Sequence, residues 1–292
     1  MKVSWSRAMA MVAAAAALVI GSLFLVGSAS AQPVTSGSFS LTSDPDDPIA
    51  SGQSFSYDTT AGDQMEVDGA ADHHSVDMEI NGTDGNDWHL GLFVPEGEAL
   101  VPGTYQDTTG EGAPGISIWR PSYFCWGLGS FTINKIEWGP YWYVRAFDAT
   151  VDFHCWGEEP GLRATVHILN PPPPPVLKVG VTVARHGTVN TPDGSATVHG
   201  TVRCSKDAFV DITGTITQKR QGQRIQAEYS QEIACTRGTR TAWTATATPP
   251  AGTTFHKGSA RTKTQASGFD SYYEYSIKAN DATVISLTKK TS

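Results

Sequence analysis

The sequence predicts an all-β protein with two β-sandwich domains, joined by a polyproline linker and preceded by an N-terminal signal peptide. Apolar and polar residues alternate with a period of two in both halves, and no long window carries a helical stripe. Clusters of turn residues separate the alternating segments. We predict a signal peptide at 1–31, an acidic, aromatic-rich β-sandwich at 32–170, the proline linker at 171–175 and a basic, immunoglobulin-like β-sandwich at 176–292.

The first 31 residues have the order of a secretory signal. Lys2 and Arg7 precede an apolar run from Ala8 to about Gly27, and the small residues Ala29-Ser30-Ala31 follow. We therefore expect cleavage after Ala31 and a secreted or cell-surface location. The apolar run would nearly span a bilayer, so an uncleaved membrane anchor is the alternative, and membrane contact is expected only in that case.

All four cysteines lie beyond the signal, at Cys125, Cys155, Cys204 and Cys235. An exported chain without a C-x-x-C spacing favours disulfides over zinc. Because the prolines separate the first two cysteines from the last two, we predict the pairs Cys125–Cys155 and Cys204–Cys235. Each closes a loop of about thirty residues, which the chain-entropy model values at roughly 3 to 4 kcal/mol.

The run Pro171 to Pro175 lacks backbone donors and is typical of a semi-rigid polyproline II spacer. It separates halves of opposite charge. Residues 32–170 carry 21 acidic and 4 basic side chains, and residues 176–292 carry 8 acidic and 15 basic ones. The halves could attract each other, the basic half could hold an anionic polymer, the acidic half could bind cations, or both could simply be solvated.

Strand periodicity places several side chains on a buried face. In the second half one such set includes Cys204 and another includes Cys235, so both cysteines are expected to point inward. Residues 218–224 read as a basic hairpin tip between two strands. The buried positions predicted from alternation include Val76, Met78, Ile80, Trp88, Leu90, Leu92, Ala164, Val166, Ile168, Ala196, Val198, Val202, Ile225, Ala227 and Tyr229.

Short motifs in each half resemble known uncharacterised modules. The first half resembles a β-rich domain of exported bacterial proteins, through Pro102-Gly103-Thr104-Tyr105, Gly129-Ser130-Phe131-Thr132-Ile133 and Phe153-His154-Cys155. The second is similar to an immunoglobulin-like module of secreted actinobacterial proteins, through Gly200-Thr201-Val202-Arg203-Cys204, Cys235 and Trp243. The resemblance implies export and β-architecture, and it supplies no catalytic residue.

The second half departs from the usual immunoglobulin pattern in two ways. Its cysteines are closer together than the usual inter-sheet pair, and Trp243 follows the second cysteine instead of lying between the two. We therefore expect an immunoglobulin-like sandwich whose topology is open.

Aromatic residues are concentrated between positions 119 and 156. Within Tyr141-Trp142-Tyr143-Val144, strand alternation would place Trp142 opposite to its two tyrosine neighbours, leaving one aromatic set exposed. Rings beside carboxylates suit sugars, whereas core filling around the disulfide is the alternative. The candidate ligand-binding residues are Trp119, Trp126, Trp138, Tyr141, Trp142 and Tyr143.

Recognisable catalytic motifs are absent from the sequence, so we expect no catalytic residue, no cofactor and no dedicated metal site. His73 and His74 beside Asp72 could hold a metal only in a loop, since adjacent strand residues point to opposite faces. Calcium at the aspartates of 44–47, or at Asp84 and Asp87, is chemically sensible but follows no complete loop pattern.

The charge of −8 disfavours nucleic acid as a partner. These observations predict an exported, non-enzymatic binding protein whose partner is a glycan or an anionic envelope polymer. A structural or adhesive spacer that binds another protein and an unrecognised secreted hydrolase are the alternatives.

Overall fold

The computed structural model describes residues 31–107, 113–125, 127–155 and 159–290. These residues form 19 β-strands and a single short 3-10 turn, so the predicted all-β sandwich fold is confirmed. Residues 1–30 of the predicted signal peptide at 1–31 and the candidate Trp126 lie outside the described residues. No helix in the described part of the chain is long and apolar enough to cross a membrane.

Eleven strands build the first domain. They are β1 (Gln32–Pro33), β2 (Ser36–Ser43), β3 (Ser54–Asp58), β4 (Gln64–Gly69), β5 (Ser75–Asn81), β6 (Asp87–Phe93), β7 (Gly103–Asp107), β8 (Gly115–Trp119), β9 (Gly127–Trp138), β10 (Val144–Cys155) and β11 (Gly161–Leu169), with the 3-10 turn at Thr59–Ala61.

These strands form two sheets, with the strand orders β1-β4-β5-β6-β8 and β3-β2-β11-β10-β9-β7. Inward side chains of both sheets share one hydrophobic core, which runs from Val34 to Ile168. The alternation predicted for Val76, Met78 and Ile80 is observed, because all three are buried while their neighbours Asp77 and Glu79 are exposed.

Eight strands build the second domain. They are β12 (Val179–Val183), β13 (His186–Val189), β14 (Ala196–Cys204), β15 (Ala208–Arg220), β16 (Gln223–Cys235), β17 (Arg240–Ala247), β18 (Gly258–Asp270) and β19 (Tyr275–Lys289). Their core is a separate cluster from Leu177 to Leu287, and the five prolines lie between the two clusters.

In the second domain β13 links two groups of strands, because it pairs with β14 on one side and with β19 on the other. β14 pairs with β17 along one edge and with β12 and β13 along the other. β13 also pairs in parallel with β19, which continues into β18, β15 and β16. This connection makes one continuous hydrogen-bonded path around the two faces of the domain.

Both predicted disulfides are confirmed. Cys125 and Cys155 have Cα atoms 5.7 Å apart, and Cys204 and Cys235 have Cα atoms 6.1 Å apart. The second bridge joins the ends of β14 and β16, whereas an immunoglobulin domain joins its B and F strands. That difference accounts for the short cysteine spacing. The two bridges are typical of proteins in an oxidising, extracellular environment.

Candidate functional site

The aromatic segment at 141–143 lies in a turn, so the prediction that it alternates along a strand is wrong. Tyr141 has a positive φ of 56°, and β10 begins only at Val144. Because the turn reverses the chain, consecutive side chains are buried together: Trp142 is 8% and Tyr143 is 1% exposed. Neither ring presents a free face to a ligand.

The buried rings instead join the two domains. Trp142, Tyr143 and Tyr273 form one hydrophobic cluster, against which Tyr141 and Val176 pack. Trp142 Nε1 donates to the Tyr273 carbonyl at 2.9 Å, and the Tyr141 ring stacks on Tyr275 with centroids 4.2 Å apart. We call this group the aromatic joint.

The proline linker takes part in the same joint. The Tyr143 hydroxyl donates to the Pro171 carbonyl at 2.7 Å, and the Tyr273 hydroxyl donates to the Pro174 carbonyl at 2.5 Å. Each ion pair among the described residues joins two side chains of the same domain, so none crosses from one domain to the other. The described contacts across the joint are therefore apolar contacts and hydrogen bonds, and the opposite charges of the halves are not paired there.

Two predicted residues lie apart from this joint. Trp138 at the end of β9 is half-buried; its indole N–H donates to the Leu100 carbonyl at 3.4 Å and its ring stacks on His73 at 4.4 Å. Trp119 ends β8 and is 37% exposed. It is the described member of the predicted tryptophan set that presents the most surface.

Trp119 lies at one end of a strip of six outward-facing residues on the five-stranded sheet, and we call this strip the aromatic trough. The strand register pairs β6 with β8 antiparallel, so that three outward positions of each strand lie side by side. The residues of this aromatic trough, in register, are His89 with Trp119, Gly91 with Ser117, and Phe93 with Gly115.

The trough has an aromatic residue at each end and small residues between them. At one end the Trp119 ring stacks on His89, with centroids 5.0 Å apart. At the other end Phe93 is 40% exposed, and its ring lies so close over Gly115 that a side chain there would collide with it. Gly91 and Ser117 lie between the rings; Gly91 is buried and Ser117 is half-buried. Four residues of strand separate His89 from Phe93, a span of about 13 Å.

A carboxylate borders the trough on the β5 side. A Cβ added at Gly91 would lie 2.7 Å from Asp77 Oδ1, so the Asp77 carboxylate lies directly over Gly91. Asp77 Oδ1 is also 3.6 Å from His89 Nε2. Loss of water raises the pKa of Asp77, although half of its side chain is exposed, and the neighbouring histidines oppose this rise.

Asp68 on β4 lies directly opposite Asp77 in the strand register. Burial raises the pKa of Asp68 to about 6, and the like charge of Asp77 adds to the rise. Its Oδ1 atom is buried without a hydrogen-bond partner. Glu66 and Glu79 form the next pair on this face, so four carboxyl groups lie beside the trough and make it unfavourable for anions.

Several oxygens of the metal candidates already accept hydrogen bonds within the protein, although Asp47 Oδ2 is buried without a partner. Asp47 accepts from the backbone N–H groups of Ile49 and Ala50, and Asp44 accepts from the Gly161 N–H and from Arg163. Across 31–107, 113–125, 127–155 and 159–290, no three His, Cys, Asp or Glu side chains converge as a metal site requires.

Sequence reasoning missed most of the trough. Alternation in β6 does place His89, Gly91 and Phe93 on the outer face, since Trp88, Leu90 and Leu92 are buried. The missing information was the pairing of β6 with β8, because β7 lies between the two strands in the sequence.

No protein-family model matches the chain, and no curated protein is similar enough to count as a relative.

Proposed function

We propose that the protein is an exported, non-enzymatic binding protein that holds an uncharged carbohydrate in the aromatic trough. The observation that carries this proposal is the placement of the partly exposed Trp119 and Phe93 at the two ends of one strip of small residues, with the Asp77 carboxylate on one side. The two disulfides and the signal-like N-terminal sequence support an extracellular setting.

The chemistry of the trough matches a sugar in three respects. The C–H faces of a pyranose can pack on the exposed parts of the two rings, which supply apolar area at little conformational cost. The Asp77 carboxylate and the Ser117 hydroxyl can hydrogen-bond to hydroxyl groups between the rings, and charge-assisted bonds of this kind are the stronger ones. The surrounding carboxyl groups disfavour anionic sugars, so the expected ligand is neutral.

The test is binding of uncharged oligosaccharides to the mature protein, first on a glycan array and then by calorimetry. Trp119→Ala should weaken the affinity at least tenfold. Gly91→Val should also weaken the affinity at least tenfold while both rings remain, because the new side chain would displace the Asp77 carboxylate that lies over Gly91. Phe209→Ala is the matched control, since this phenyl ring is 73% exposed on the second domain and far from β6 in sequence.

Three results would contradict the proposal. The first is that the wild-type protein binds no uncharged glycan. The second is that Phe209→Ala weakens binding as much as Trp119→Ala does. The protein could also hydrolyse the oligosaccharides, which would make it an enzyme. Circular dichroism and urea midpoints verify that each variant is folded.

A second candidate function, a structural or adhesive spacer, is favoured by the aromatic joint. Hydrogen bonds from Trp142, Tyr143 and Tyr273 tie both domains and the linker together. A blank glycan array, combined with capture of one protein partner that depends on an intact joint, would favour this function over carbohydrate binding.

A further inference from the structure

A depression lies on the outer face of the second domain and shares no residue with the aromatic trough, which belongs to the first domain. It has a volume of about 690 Å³ and crosses strands β15, β16, β18 and β19. Four exposed cations line it: Lys219, Arg224, Arg261 and Lys263. We call it the basic groove.

The strand register arranges these cations as a grid. Lys219 lies directly opposite Arg224, and Thr217 lies opposite Arg261 on its other side. Arg261 and Lys263 are two residues apart on β18, which separates their Cα atoms by roughly 7 Å, and neighbouring strands are about 4.8 Å apart. The positive charges are therefore distributed along the groove instead of meeting at one point.

None of these four cations forms an ion pair with a carboxylate in the described part of the chain. Three basic side chains of the first domain behave differently: Lys135 and Arg145 pair with Glu137, and Arg163 pairs with Asp44. In the groove the described hydrogen-bond partner of a cation is neutral, because Arg224 donates to Gln226 Oε1 at 2.7 Å.

The remaining lining adds hydrogen-bond donors without negative charge. Hydroxyl groups of Thr215, Thr217 and Ser259 lie among the cations, and no carboxylate lines the groove. Glu228 is the nearest acidic position on this face, opposite Thr215, and belongs to a neighbouring depression. Such a surface has a strong positive potential and many donors for oxyanions.

We propose that the basic groove binds a linear, phosphodiester-linked envelope polymer. Repeated negative charges match the distributed cations, and the phosphate oxygens can accept both from the cations and from the hydroxyl groups between them. The groove crosses four neighbouring strands, a width of about three strand spacings or roughly 14 Å, which admits a single flexible chain and not a nucleic-acid duplex. The acidic first domain further disfavours a long, stiff polyanion.

The test uses the mature protein and a fluorescent poly(glycerol phosphate) oligomer, with anisotropy measured from 50 to 200 mM salt. For a flexible chain that engages four cations, the logarithm of the affinity should fall with that of salt with a slope of about −3, a loss of roughly 50-fold over this range. Arg261→Gln combined with Lys263→Gln should reduce the slope to about −1.4. Lys278→Gln combined with Lys289→Gln is the control, with the same charge change at exposed positions outside the groove.

The outcomes separate this site from the trough. Trp119→Ala should bind the oligomer normally, so carbohydrate binding and polyanion binding succeed or fail independently. Equal losses in the two double variants would overturn the proposal in favour of diffuse charge attraction. Equal or tighter binding of polygalacturonate would overturn the assignment of phosphodiester chemistry. Equal or tighter binding of single-stranded DNA, which is itself a phosphodiester chain, would overturn the assignment of an envelope polymer. Absence of oligomer binding at 50 mM salt would overturn the site.

Discussion

Replacing Asp68 with asparagine should stabilise the first domain at neutral pH and not at acidic pH. The carboxyl group of Asp68 faces Asp77 across the β4–β5 ladder, and one of its oxygens is buried without a hydrogen-bond partner. Burial and the facing charge raise its pKa from 3.8 to about 6. Ionisation of Asp68 therefore destabilises the folded protein.

The sign follows from proton linkage. Between pH 4 and pH 6 the folded state binds more protons at Asp68 than the unfolded state, so its contribution to the free energy of unfolding decreases as the pH rises. A shift of about two pH units corresponds to about 3 kcal/mol. Because the side chain is open to water in part, we expect Asp68→Asn to gain about 1 to 2 kcal/mol at pH 7.5. At pH 3.5 both side chains are uncharged and the gain should vanish.

The assay is urea denaturation with the disulfides intact, followed by tryptophan fluorescence at pH 7.5 and pH 3.5. Glu98→Gln, at an exposed loop position, controls for the loss of one negative charge from an acidic domain. An equal gain at both pH values would contradict a destabilising charge on Asp68, as would a loss of stability at pH 7.5. A change of midpoint without a change of m-value is required for the interpretation.

Two further predictions concern the joint and the second bridge. Trp142→Ala removes a ring that is 8% exposed and its hydrogen bond to Tyr273, which should cost about 3 kcal/mol; small-angle scattering should show a larger radius of gyration while the β-type circular dichroism persists. Unchanged scattering would mean that the joint does not hold the domains. Replacing Cys204 and Cys235 by serine opens a loop with a sequence separation of 31 and should cost about 4 kcal/mol in the second domain, read as a lower urea midpoint, whereas an unchanged midpoint would contradict the chain-entropy estimate.

Local patterns were sufficient to predict the strands and the disulfides. In β16, for example, Ile225, Ala227 and Tyr229 alternate with exposed residues, and Cys235 stays in phase with this buried side. A period of two is a property of neighbouring residues, so it can be read without knowing which strands pair. The same reasoning failed at Trp142, because a turn is decided by a few backbone angles and not by periodicity.

The binding surfaces could not be predicted in the same way because they depend on strand pairing. Phe93 and Trp119 belong to strands that are separated by β7 in the sequence, and only the β6–β8 register places them at two ends of one trough. The basic groove shows an intermediate case. Residues 218–224 identified a basic hairpin, but the contribution of Arg261 depends on the β15–β18 register.

The proline run between the domains also affects how one domain is rotated relative to the other. Proline carbonyls are the only hydrogen-bonding groups that such a run offers, and those of Pro171 and Pro174 accept from tyrosines of different domains. Polyproline II makes one full turn every three residues, so acceptors at these two positions are expected to face the same side. A run with one residue more or fewer would turn one acceptor by about 120° away from its tyrosine. The number of prolines therefore specifies the azimuth of one domain about the other as well as their separation.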